Sequence, residues 1–162
     1  MKKAVFVCLL CSFLLTSCGK TDSAEDFFDS FSKGYALPYG LSYRKTEKAS
    51  ESDFLSLTLF DTLYATAPDT DYYTEFTEAI VWLGTSGERA CEMGVFVCPD
   101  RESAEEIAFM CRARIALLSS LEEHTDVLYT ENARAAIYGK TVFYSVLPDN
   151  EAAHRLARRI LN

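Results

Sequence analysis

The sequence predicts an α+β domain: a largely antiparallel sheet of four to five strands with helices packed on one face. Three observations carry that expectation. First, a strand–strand–helix order occurs twice in the C-terminal half. Each time Pro-Asp, at Pro99-Asp100 and Pro148-Asp149, stands where the second strand gives way to the helix. Second, apolar residues in the strand segments form short β-branched or aromatic runs, whereas those in the helix segments recur every three to four positions. Third, the 162 residues are 49% hydrophobic, 13% aromatic and 25% charged with 7 Gly and 4 Pro, which excludes a disordered or collagen-like chain. That length suits one domain rather than two.

The N-terminus reads as an address. Lys2 and Lys3 precede the apolar run Ala4–Leu15. A run of about a dozen residues is shorter than the roughly 20 that span a bilayer, and it suits the core of a signal peptide. It ends in Leu15-Thr16-Ser17-Cys18, the order of a bacterial lipoprotein box. Cleavage is therefore expected between Ser17 and Cys18, with lipid on Cys18; the alternative is an ordinary secretory signal that ends near a cysteine. On this reading residues 1–17 are removed, 18–22 form a lipidated tether and 23–162 form a single extracytoplasmic domain. Each buried methylene of an acyl chain contributes about 0.8 kcal/mol, so two or more chains anchor stably to the outward face of the cell membrane. Gly19 follows the cysteine, so no Asp is present there to resemble an inner-membrane retention signal. Loss of Lys2 and Lys3 leaves 14 of the 16 basic residues against 24 acidic ones, taking the formal charge from -8 to -10. That balance argues against non-specific nucleic-acid binding.

The domain starts with a helix. Ser23 and Asp26 resemble a capping box, and Ala24, Phe27, Phe28 and Phe31 recur at i, i+3, i+4 and i+7. This face is expected to pack on the core, since Glu25, Asp26 and Asp29 accompany it where membrane-surface helices carry Lys and Arg. Tyr35, Tyr39 and Tyr43, broken by Pro38 and Gly40, predict a loop and then a short strand near Leu41–Thr46. Ser50–Ala65 mixes strand-like alternation at Leu55, Leu57 and Leu59 with helical spacing at Phe60, Leu63 and Tyr64; helix is favoured.

Thr77–Leu83 and Arg89–Cys98 read as strands joined by the turn Gly84-Thr85-Ser86-Gly87. Pro99-Asp100 then stops the strand and caps a helix with Ala104, Ile107, Ala108, Cys111, Ile115 and Leu118 on one face. The order returns with a strand near Arg134–Tyr138, the turn Gly139-Lys140 and a strand Thr141–Leu147. After Pro148-Asp149 a last helix aligns Ala153, Leu156, Ala157 and Ile160. Arg158 and Arg159 fall in its final turn, where the helix dipole favours positive charge. The two units are either an internal duplication or two independent hairpin–helix units.

Taken together, Gly84–Gly87, the strand Glu92-Met93-Gly94-Val95-Phe96, the Pro99-Asp100 helix and the Tyr138-Gly139-Lys140 hairpin resemble an uncharacterised bacterial lipoprotein family, domain of unknown function 4358. The resemblance covers about Thr74–Asn162. It implies an extracytoplasmic α+β domain and carries over no catalytic residue. The chain departs from the family in having Cys91, Cys98 and Cys111 and an Arg-rich rather than Lys-rich helix.

The side chains with chemical potential are few. Cys91 and Cys98 are seven apart in one strand, so they face opposite ways and cannot bridge. Cys111 lies on an apolar helix face, and pairing of Cys91 with Cys111 stays open; three buried free thiols is the favoured reading. His124, in Glu122-Glu123-His124-Thr125-Asp126, is expected in a solvated loop, and His154 is expected at the surface among Arg155, Arg158 and Arg159. A lone His beside carboxylates does not define a zinc site, and Gly84–Gly87 joins strands instead of opening a helix as a phosphate loop does. No metal or cofactor is expected. Pro68–Phe76 mixes carboxylates with rings, so Asp69, Asp71, Tyr72, Tyr73 and Trp82 are candidate ligand contacts.

The function these readings predict is a non-catalytic binding or interaction module, lipid-anchored in the cell envelope, whose partner is an envelope protein, a peptide or a glycan and not a nucleic acid. The alternatives are a small-ligand-binding accessory lipoprotein, with a pocket lined by Tyr72, Tyr73 and Trp82, and a thiol-dependent envelope enzyme. The last requires Cys91, Cys98 or Cys111 to be exposed beside a histidine.

Overall fold

The computed structural model describes residues 23–64, 71–86, 89–125 and 128–162, with the backbone alone for 85–86 and 122–125. The signal segment, Ser17, Cys18, the tether and Asp69 therefore lie outside the described residues.

Five strands form one sheet: β1 (Tyr39–Lys45), β2 (Glu78–Ser86), β3 (Arg89–Val97), β4 (Arg134–Tyr138) and β5 (Thr141–Val146). Their order across the sheet is β1-β2-β3-β5-β4, and every neighbouring pair is antiparallel. Among the described residues four α-helices accompany them: α1 (Ala24–Gly34), α2 (Leu57–Tyr64), α3 (Arg101–Thr125) and α4 (Asn150–Leu161). The fold is thus α+β on an antiparallel five-stranded sheet. Among the described residues no helix is long and apolar enough to cross a membrane.

The sequence predicts helices on one face of the sheet, but they cover both. Ala79, Val81, Phe96, Cys98, Val142, Tyr144 and Val146 pack beneath α2 and α3. Their strand neighbours Ile80, Trp82, Met93, Val95 and Phe143 pack beneath α1 and α4 on the other side. The physical reason lies in the central strands. All six residues of β5 are buried, as are Cys91 through Phe96 of β3. Because side chains alternate, a strand buried along its whole length needs cover on both faces.

This arrangement also decides how the two hairpin–helix units relate. β3 and β5 are antiparallel neighbours, so only a twofold axis normal to the sheet exchanges them, and such an axis keeps each helix on its own face. α3 and α4 lie on opposite faces. The two units are therefore not related by a twofold axis.

Local sequence chemistry explains most of the elements. Ser23 caps α1 by accepting from Asp26 N at 3.1 Å, and Phe27 and Phe31 are fully buried against Phe143, so this helix packs on the core. Asp100 accepts from Ser103 N at 2.9 Å and Asp149 from Ala152 N at 2.8 Å, so both Pro-Asp junctions supply N-caps. The β4–β5 connection is the two-residue turn Gly139-Lys140, with Gly139 at φ 63, where a Cβ is disfavoured.

Two local readings change. Gly84, Thr85 and Ser86 are not a turn: β2 runs through them, paired in turn with Cys91, Ala90 and Arg89 of β3, and the residues joining the two strands lie outside the described residues. Gly84 sits opposite Gly40 of β1, and a Cβ at either position would run into the Trp82 ring. The glycine makes room for a buried indole rather than for a bend. α3 continues to Thr125, so His124 stands in its last turn and not in a loop.

Candidate functional site

The ring cluster suggested by the sequence does not form. Tyr72 is 6% exposed in the core beneath α2 and α3, whereas Trp82 is 4% exposed on the opposite side of the sheet, so the two cannot line one pocket. Tyr73 is half-buried. Its hydroxyl donates to Leu55 O at 2.7 Å, and Lys45 Nζ lies 4.2 Å above its ring while donating to the Tyr73 and Phe76 carbonyls. These groups already satisfy one another. Asp71 is exposed and makes no side-chain capping bond to the short 3-10 turn Tyr72–Thr74.

The thiols are buried and unpaired, as favoured. Cys91 lies on the α1/α4 side and Cys98 and Cys111 on the other, so Cys91 and Cys111 are not bridged. Burial raises Cys91 to about 11 and Cys98 to about 12, and it holds Cys111 well above the usual thiol range. Thiolate is the nucleophilic form. The exposure that a thiol-dependent enzyme requires is therefore not met.

One buried charge network lies beneath α3. Arg114 donates to both Glu92 oxygens, at 3.0 and 2.8 Å, Tyr144 Oη donates to the same carboxylate at 3.0 Å, and the Tyr64 and Tyr144 hydroxyls meet at 2.5 Å. Burial first, and then the Glu92 charge, holds both tyrosines well above their ordinary range. The Glu92 carboxylate and both hydroxyls are turned inward and bonded, which is how a buried pair compensates its desolvation.

The opposite face carries an open concavity. α4, the chain leaving α1 at Gly34-Tyr35, and β4 enclose a cleft of about 640 Å³. Arg155, Arg158 and Arg159 project from α4 and Arg134 from β4, against Glu151 as the carboxylate of its lining. Arg134 pairs with Glu151 at 2.7 Å, and Arg158 interacts with the Tyr138 hydroxyl. Arg155 and Arg159 make no hydrogen bond or ion pair to a described residue.

His154 stands in the wall of this cleft but is only 3% exposed, which overturns its expected surface position. It falls in helical register with Ala157 and Leu161, both buried, so α4 turns it inward. Its Nε2 lies 3.1 Å from the Arg134 carbonyl, which can only accept, so Nε2 carries the hydrogen and Nδ1 keeps a bare lone pair. Nδ1 is buried and has no hydrogen-bond partner. Burial, and then the charge of Arg134, pushes the imidazole down to about 4, so it is neutral at pH 7.

The sequence reading missed this cleft. It assigned Arg158 and Arg159 to the helix dipole, and the arginine spacing along α4 was visible; that Arg134 joins them from another strand was not. Charge is sorted over the surface, since Glu75, Asp100, Glu102 and Glu106 line a smaller concavity at the start of α3. No protein-family model, curated protein or solved structure matches the chain.

Proposed function

We propose that the chain is a binding module of the bacterial cell envelope, anchored through lipid on Cys18, and that the arginine cleft is its contact surface. The resemblance of Thr74–Asn162 to the uncharacterised lipoprotein family is part of this proposal. One observation carries it: four guanidinium groups surround a single carboxylate at one concavity, in a chain whose formal charge is -8. Arginine presents fixed donor forks that match carboxylate and phosphate oxygens, so such a cluster is a recognition surface for anions. His154 beneath it is buried and neutral, and so supports the wall rather than offering a proton. The partner is an envelope component that displays anionic groups to this cleft.

The testing experiment is a pull-down from native membranes with three forms: the lipidated wild type, Cys18→Ala, and Arg155→Glu with Arg159→Glu. The reading expects a specific partner that is captured by the wild type and lost in both variants. Absence of acylation at Cys18 overturns the anchor. A partner that survives the double charge reversal overturns the cleft as the contact surface.

A further inference from the structure

Resting on that reading, we propose that the arginine cleft takes a ligand carrying two or more phosphoryl charges, free or displayed on a lipid headgroup. Charge count is the first argument. Four arginines less the one carboxylate leave a surplus of three positive charges around the cleft. A monocarboxylate ligand would leave most of that surplus unneutralised, whereas two or more phosphoryl groups match it.

Shape is the second argument. The donors arrive from two elements, Arg134 from β4 and the other three from successive turns of α4. A carboxylate is flat and accepts one fork in its own plane. A tetrahedral phosphoryl group presents oxygens in several directions and accepts from forks that converge on it. Arg155 and Arg159 are one turn apart, about 6 Å along the helix axis. That spacing suits charges repeated along a ligand. Size agrees, for a volume of about 640 Å³ exceeds what a lone ion fills and lies in the range of about 300–1,000 Å³ typical of sites for larger ligands.

The test is titration calorimetry on the full lipidated protein in neutral detergent, at fixed ionic strength. The probes are tripolyphosphate, citrate and the soluble short-chain lipid dihexanoyl phosphatidylinositol 4-phosphate, whose headgroup carries two phosphoryl groups. Tripolyphosphate is expected to bind at least about tenfold more tightly than citrate, and Arg155→Gln and Arg159→Gln each to weaken it by about tenfold. Arg101→Gln removes the same charge from an exposed i,i+4 pair with Glu105 on α3, and it is expected to change binding by less than about twofold. Binding of the lipid probe above that of tripolyphosphate assigns the headgroup source, and the reverse order assigns the free source. Citrate binding as tightly as tripolyphosphate overturns the phosphate class while leaving the anion cleft intact. An equal loss in Arg101→Gln, or no binding of any probe, overturns both, and melting curves of the exposed-site variants confirm that each is folded.

Discussion

The regions beneath α3 and beneath α4 handle charge in opposite ways, while at the α1 edge of the second face Glu25 pairs with Arg44 at 2.6 Å. Under α3 an ion pair is sealed in: Glu92 and Arg114 are 6% and 16% exposed at their side chains, the Tyr144 hydroxyl donates to the carboxylate, and the Tyr64 hydroxyl donates in turn to Tyr144. Under α4 the buried polar groups are neutral. Asn150 accepts from the Ser145 hydroxyl at 2.7 Å and Leu147 N at 3.0 Å, and it donates to the Tyr129 and Glu131 carbonyls. Next to it His154 is held uncharged, while the arginines stand at the rim. The difference teaches where recognition can sit. Charge that is buried and mutually satisfied is part of the architecture, whereas charge gathered at a rim over a neutral floor is available to a ligand.

Breaking the sealed pair has the largest expected effect. Glu92→Leu leaves the Arg114 guanidinium buried without its carboxylate, which costs about 3–5 kcal/mol. Urea unfolding reads this as a lower midpoint at unchanged slope, and Glu92→Leu with Arg114→Leu recovers most of the loss. If the double variant is no more stable than the single one, the pair is not a closed unit.

On the other face, Asn150→Ala strands the Leu147 N–H and two carbonyls at once and is expected to cost about 2–3 kcal/mol. A loss as large as that of Glu92→Leu would erase the contrast between charged and neutral networks. A smaller effect comes from acid. The folded pKa of His154 is depressed to about 4 from 6.5, so the unfolded chain takes up its proton first as pH falls. The stabilisation is full above about pH 6.5, is lost on the way down to about pH 4, and amounts to about 1 kcal/mol lost by pH 5.5. An NMR titration of the imidazole checks the sign, since a midpoint near 6.5 would mean that the ring is hydrated.

Thiol labelling at pH 8 followed by peptide mapping sharpens the same comparison. Cys91 on one face and Cys98 and Cys111 on the other are expected to stay unmodified in the folded protein and to react fully in denaturant. Rapid labelling of any one of them would show an opening at its face. The smallest effect is that of Arg101→Gln on stability, under about 0.5 kcal/mol, because its pair with Glu105 is exposed.

The sequence by itself determined what short-range physics controls. Helix periodicity at Phe27 and Phe31, caps at Ser23, Asp100 and Asp149, the Gly139-Lys140 turn and the opposed faces of Cys91 and Cys98 all involve partners within a few residues. The unbroken apolar run of β5 held the sign of two-sided cover, but a run of that kind does not say which helix covers which side. That decision belongs to tertiary packing. Gly84 has its role because Trp82 and Gly40 meet there, and His154 is neutral because the Arg134 carbonyl and the core enclose it. The arginine cleft exists because β4 brings Arg134 beside α4. Contacts of that range form only when the chain has closed on itself, and only the tertiary structure settles them.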